Sequence, residues 1–346
     1  MRLPIHKTRI GTCLVTLCLT AATPLMTHAA TEAPAPPPNI VYLATSLDFA
    51  YWKSMGKGIR AAVKRHGYTF TTLSSHDSAQ TQLDNAKAAI ERGVVGIVIS
   101  PTDSATAPAV LALAQAAHIP VVIADIGTNS GEYVSLVTSD NKEGAYQTGK
   151  ALLEAMQAKG WGGGSVSQIT LSLARNNGQL RTAGFRQALT EGAVTEGSSR
   201  QMQTYTADES LAFTQELLTA TPGMRGLFIQ TDTPTLGAVQ GIKAAKRSAD
   251  IAVAAFDGTP EFIELFKNGD LVVSGMQQPY LMGQKAGEAL SQHLKGNTVA
   301  KEIVVPILVV TGQNLEQLLP TIQETVFGHK ASSNIRPETS AAPRGR

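Results

Sequence analysis

From Asn39 onward, apolar and polar positions alternate in two rhythms. Continuous apolar runs recur at Ile40-Val41-Tyr42-Leu43-Ala44, Gly96-Ile97-Val98-Ile99, Val121-Val122-Ile123-Ala124, Leu227-Phe228-Ile229 and Ile251-Ala252-Val253-Ala254-Ala255. Such unbroken runs are expected of parallel strands covered on both faces. Between them, apolar residues fall at helical spacing, as in Met55/Ile59/Val63, Leu83/Ala86/Ile90 and Leu236/Val239/Ile242. Regular β-α-β-α alternation predicts open parallel sheets with helices on both faces. With 346 residues and about ten strands, two doubly wound α/β lobes suit the chain better than one sheet.

The two ends break the rhythm. Arg2, Lys7 and Arg9 precede an apolar run from Ile10 to Leu19, and small residues follow at Thr27-His28-Ala29-Ala30. That order predicts a secretory signal peptide over residues 1–30, cleaved after Ala29 or Ala30. The apolar run is too short for ~30 Å of hydrocarbon. A Pro-rich spacer, 31–38, comes next, and the Ser/Pro/Arg/Ala-rich segment 331–346 is expected to be a disordered tail. Both cysteines, Cys13 and Cys18, fall inside the signal, and bulky Leu17 argues against lipid attachment at Cys18. The mature chain therefore lacks thiols, which excludes disulfides, thiol catalysis and cysteine-ligated metals. Losing the basic signal also turns the formal charge of +2 slightly negative, so no nucleic-acid partner is expected.

In open α/β sheets a ligand lies beyond the carboxyl ends of the strands. The residues there are Thr45-Ser46-Leu47-Asp48, Ser100-Pro101-Thr102-Asp103, Asp125, Gln230-Thr231-Asp232, Phe256-Asp257-Gly258 and Gln277-Gln278-Pro279. Asp103 and Asp232 are read first as helix caps. Asp125 and Asp257, each ending an all-apolar strand, are read as ligand contacts.

Three glycine motifs resemble chemistry without supporting it. Gly56-Lys57-Gly58 sits well inside a helix instead of at the turn that meets a pyrophosphate, so close packing explains it. Gly144 to Gly149-Lys150 lacks the magnesium-binding hydroxyl, having Ala151, and also reads as helix. Gly163-Gly164-Ser165-Val166-Ser167 lacks the closing glycine of a nucleophile elbow and reads as a turn into a strand. The seven histidines show no metal-ligand pairing. No catalytic set, cofactor or metal is expected.

Four stretches carry a family resemblance: Ser46-Leu47-Asp48-Phe49-Ala50-Tyr51-Trp52, Ile99-Ser100-Pro101-Thr102-Asp103-Ser104, Ile119-Pro120-Val121-Val122-Ile123-Ala124-Asp125 and Ala255-Phe256-Asp257-Gly258-Thr259-Pro260. In this order they resemble the periplasmic sugar-binding proteins of ABC importers, ribose/galactose type (type I periplasmic binding proteins), over about Asn39 to Gln313. The resemblance implies two lobes, 39–139 plus 278–306 and 140–277 plus 307–330. Three crossings, near 138–140, 277–278 and 306–307, would let the lobes close on a ligand.

Carried onto this chain, Tyr51 and Trp52 fall where aromatics sandwich a sugar ring, a contact in which C–H groups pack on a π face. Ser46 and Ser100 fall at polar positions after their strands. Asp125 falls where a carboxylate takes two hydroxyls, and Arg181 matches an arginine whose fork holds two oxygens. Tyr205, Thr231, Asp257 and Gln277 complete the implied second-lobe set. Two departures stand out: the family's ribose binders have arginine where this chain has Ile126, and asparagine where it has Thr231. Ribose itself is therefore not expected, and Phe256 is expected to fill part of the freed space. The resemblance implies a non-enzymatic monomer in the periplasm that passes a small polar ligand to an ABC permease. The alternative is a sensor of trimethylamine oxide or a furanosyl signal reporting to a membrane histidine kinase. DNA-binding repressors of the same core fold are excluded by the signal peptide and the missing helix-turn-helix.

Overall fold

A computed structural model describes residues 37–329. The expected signal peptide, nearly all of the spacer and the expected tail lie outside the described residues.

The apolar runs become strands and the periodic segments become helices. The first stretch comprises β1 (Asn39–Ala44), α1 (Ala50–Arg65), β2 (Thr69–Ser74), α2 (Ala79–Glu91), β3 (Gly96–Ile99), α3 (Ala107–Ala116), β4 (Val121–Ala124) and β5 (Ser135–Ser139). The second comprises α4 (Asn141–Ala158), β6 (Ser165–Thr170), α5 (Asn176–Glu191), β7 (Glu196–Gln201), α6 (Ala207–Ala220), β8 (Met224–Ile229), α7 (Asp232–Ala244), β9 (Ala252–Phe256), α8 (Phe262–Asn268) and β10 (Val273–Met276). Last come α9 (Pro279–Leu294), β11 (Glu302–Val305), β12 (Leu308–Thr311), α10 (Leu315–Thr321) and a π-helical turn at Ile322–Val326.

Two six-stranded sheets result, ordered β11-β5-β4-β3-β1-β2 and β12-β10-β9-β8-β6-β7. The chain is thus an α/β protein of two doubly wound lobes, and each lobe takes a strand from the C-terminal region. Strand pairing is parallel throughout except between β10 and β12. The exception has a geometric cause. β11 runs parallel to β5 towards the edge where the other sheet begins. Pro306 and Ile307 then carry the chain straight across, so β12 enters the second sheet against its neighbours. A two-residue link leaves no room for the crossover that a parallel strand needs.

The edge strands β2 and β7 have the sequences TFTTLS and EGSSRQ and are partly exposed. They lack the apolar runs of the central strands because one flank and much of each face meet water.

Helix packing explains the glycines. A Cβ on Gly58 would overlap the Tyr280 carbonyl, and one on Gly283 would overlap the Met55 carbonyl, so α1 and α9 meet backbone to backbone. Gly184 does the same against Lys142 where α5 crosses α4. Gly144 and Gly149 lie inside α4 and face Ile307 and Ala188, with no phosphate-binding turn. After α10, Ile322, Val326 and Phe327 join the second lobe's core. There the Val326 carbonyl accepts a hydrogen bond from Ser54 of α1, in the first lobe.

Candidate functional site

Asp125 follows β4 and Asp257 follows β9, at equivalent places in the two sheets. Both adopt left-handed backbone, with φ of 71° and 63°. Aspartate tolerates this region better than most residues, and the neighbouring strand holds the kink. The Asp125 amide donates to the Val137 carbonyl at 2.8 Å, and the Asp257 amide donates to that of Gly275 at 3.0 Å. The bend turns each carboxylate into the space between the lobes.

That space is a cavity walled by both lobes, a concave setting of the kind small-molecule sites use. Tyr51, Trp52 and Asp125 line it from the first lobe, and Arg181, Tyr205, Thr231, Asp257 and Gln277 from the second. Ser46 and Ser100, also expected here, do not line it. Ser46 is buried and spends its hydroxyl on Asp48, 3.1 Å away. The Ser100 hydroxyl lies 2.9 Å from the Tyr42 hydroxyl, beneath α1. Phe256 is not a cavity wall either: its ring lies under the Arg181 guanidinium, 3.9 Å away.

Tyr51 and Trp52 meet edge to face, with centroids 4.7 Å apart. They belong to the first lobe's apolar cluster and also wall the cavity, so core and site readings coincide. The Tyr51 hydroxyl donates to Asp125 Oδ1 at 3.1 Å, and Asn177 Nδ2, from the opposite lobe, donates to Oδ2 at 3.3 Å. Burial dominates the Asp125 carboxyl and pushes its pKa up to about 6. The Arg181 charge opposes that rise, and Asp257 adds to it.

In the second lobe, Arg181 is an anchored side chain. Its Nε donates to Asn141 Oδ1 at 2.8 Å, and its Nη1 donates to the Gln230 carbonyl at 2.6 Å and to Asp257 Oδ2 at 3.0 Å. Asp257 also accepts from Gln277 Nε2 at 2.9 Å and from the Thr231 hydroxyl at 3.3 Å. Asp232, expected first as a helix cap, is instead the first residue of α7, whose N-cap is Thr231. Its Oδ1 accepts from the Thr233 amide at 2.7 Å, in the first turn of α7, while the residue also lines the cavity. Burial, with Asp257 nearby, raises its pKa. Asp103, also expected as a cap, closes the turn ahead of α3, whose N-cap is Thr106, by accepting from the amides of Ala105 and Thr106 at 2.8 Å.

Sequence reasoning missed Asp77, Arg175 and Asn177 as cavity residues. Arg175 donates from Nε to the Thr102 carbonyl at 2.9 Å and from Nη2 to Asp77 Oδ1 at 3.1 Å. Its guanidinium lies 4.6 Å from the centre of the Tyr205 ring. The one available signal was position: Asp77 and Arg175 both follow strands, but those strands carry little apolar character. Phe49, Ile126, Leu171 and Pro234 complete the wall with apolar surface. Among the described residues, no group of three or more His, Cys, Asp or Glu is placed to hold a metal.

Residues 40–298 match the family described as periplasmic binding protein domain. The chain is 29% identical over 275 residues to the ribose import binding protein RbsB of Escherichia coli, covering 80% of this chain and 91% of that protein. It is 26% identical over 265 residues to the D-apiose import binding protein of Paraburkholderia graminis, covering 76% and 83%. In fold, it is similar to a carbohydrate transporter solute-binding protein of Agrobacterium radiobacter solved with D-arabinose. That match has a TM-score of 0.78 and 23% identity over 84% of this chain and 99% of the other.

Proposed function

The chain belongs to the periplasmic binding protein family, and from that premise we propose that it captures a neutral monosaccharide in the interlobe cavity and delivers it to an ABC permease. One observation carries this reading. Aromatic faces line the cavity together with buried acceptor oxygens that have no donor: Asp232 Oδ2 and Gln277 Oε1 are both without a hydrogen-bond partner. A buried acceptor left unmet costs about 1–3 kcal/mol. A polyhydroxylated ring supplies hydroxyl donors to such oxygens and C–H faces to Tyr51, Trp52 and Tyr205. The named relatives are import binding proteins for ribose and D-apiose, both sugars.

On this reading Ser46 and Ser100 support the fold behind the site, while Tyr51, Trp52, Asp125, Arg181, Tyr205, Thr231, Asp257 and Gln277 touch the ligand. The links near 138–140, 277–278 and 306–307 form the hinge, and the mature protein works in the periplasm after loss of residues 1–30. The test is a thermal-shift screen with D-ribose, D-apiose, D-arabinose, D-allose and trimethylamine oxide. A sugar present at 100 times its dissociation constant stabilises the protein by about 2.7 kcal/mol. A shift with trimethylamine oxide and none with any sugar overturns the proposal.

A further inference from the structure

The two arginines in the cavity differ in where their partners lie. Every polar partner of Arg181 (Asn141, Gln230 and Asp257) belongs to the second lobe, its own. That guanidinium is held whether the lobes are together or apart. Arg175, just ahead of α5, also belongs to the second lobe. Both of its side-chain hydrogen bonds, to the Thr102 carbonyl and to Asp77, end on the first lobe. Its own lobe offers only the face of Tyr205.

The first lobe presents Asp77 in a fixed position. His76 and Asp77 both take left-handed backbone, with φ of 49° and 56°, and the Asp77 amide donates to the Thr45 carbonyl at 2.9 Å. The Arg175–Asp77 pair is poorly exposed, with side chains 10% and 33% accessible. It is therefore less screened than an ordinary surface pair. The rest of the segment 174–177 also reaches across: the Asn176 amide donates to Ser104 Oγ, the Ser104 amide to the Ala174 carbonyl, and Asn177 to Asp125. Four consecutive residues thus form a seam beside the cavity, and Arg175 carries its only ion pair.

We propose that Arg175 is a positioning residue that latches the closed form: it sets how long a ligand stays bound by pairing with Asp77 across the cleft, not by recognising the ligand. Opening the lobes breaks both of its hydrogen bonds, so its energy counts only in the closed state. A residue that favours one of two states changes apparent affinity through the closed population. Loss of such a pair across an interface appears mainly in the dissociation rate. The proposal rests on reading the cavity as a ligand cleft, but its structural part can be tested without a ligand.

The mature chain lacks cysteine, so Gln80→Cys and Asp208→Cys place one dye on each lobe for single-molecule energy transfer. Distances are measured in the wild type, Arg175→Ala, Arg175→Lys and Asp77→Asn, alone and with the sugar that gives the largest thermal shift in the screen above. Expected results are a smaller closed fraction in Arg175→Ala and Asp77→Asn, with Arg175→Lys in between. Ligand dissociation should be faster by on the order of tenfold, with the association rate and the rank order of sugars unchanged. The double variant Arg175→Ala/Asp77→Asn should lose little more than either single one. Closed fractions and dissociation rates equal to those of the wild type overturn the latch. A changed rank order of sugars also overturns it, because Arg175 would then be reading the ligand. If no sugar binds yet the closed fraction falls in Arg175→Ala, the latch stands and the sugar reading fails.

Discussion

Asp125 joins three requirements at one position: a left-handed bend, a buried carboxylate and a hydrogen bond from each lobe. Asp125→Ala removes an acceptor and leaves the Tyr51 hydroxyl and Asn177 amide unmatched, and Trp52→Ala removes a stacking face. Each should weaken the sugar identified by thermal shift by at least ~2 kcal/mol, roughly thirtyfold, in calorimetric titration. Acidity should act on Asp125 in two opposite directions. Its folded pKa of about 6 lies above the usual carboxylate value of about 3.9, so the folded state holds the extra proton between them. The contribution of this group to stability therefore rises as pH falls from about 6 to about 4. Ligand affinity should fall over the same range, because a protonated carboxyl loses its charge-assisted acceptance of hydroxyls. Titrations at pH 7.5 and pH 5, with melting curves alongside, check both signs. Asp125 and Asp257 were legible in the sequence because a single acid ends each apolar run. Asp77, Arg175 and Asn177 were not, because their roles come from contacts between segments far apart in the chain.

At the level of elements, legibility followed burial. β1, β3, β4, β8 and β9 are covered on both faces and announced themselves as apolar runs. β2 and β7 lie at sheet edges and carry polar residues, so no run marked them. Among the helices that depend on glycine are α1 and α9, which meet where Gly58 and Gly283 leave no room for a side chain. Gly283→Val should force the helices apart and destabilise the first lobe by about 1–3 kcal/mol. Urea denaturation should show a lowered midpoint, and one equal to the wild type would mean that α9 shifts without cost. Gly67 makes a useful contrast: its φ is +84° but nothing lies within 4 Å of a Cβ placed there. Gly67→Ala should therefore cost only backbone strain, about 1–2 kcal/mol.

At the scale of the whole molecule, the chain passes between lobes three times, and a trap that closes at these links should become more compact when occupied. Small-angle scattering should give a smaller radius of gyration with saturating sugar than without it, and an unchanged radius would rule out hinge closure as the response to ligand. The same threading has a consequence for how the protein is made. α9 covers the first sheet and grips α1, and β11 extends that sheet, yet both follow β6 to β10 of the other lobe in the chain. While only the N-terminal part has been synthesised, the faces of Met55 and Ile59 that α9 will cover stay wet. Neither lobe can complete its core until the final strands emerge, because β12 likewise closes the second. Contacts between distant parts of a chain form late and slowly, so a growing chain of this design should stay loose and protease-sensitive until translation is nearly finished. Chains truncated after Met276 should be digested readily in pulse proteolysis, whereas the full chain resists. Late completion of both cores is thus written into the order of the strands.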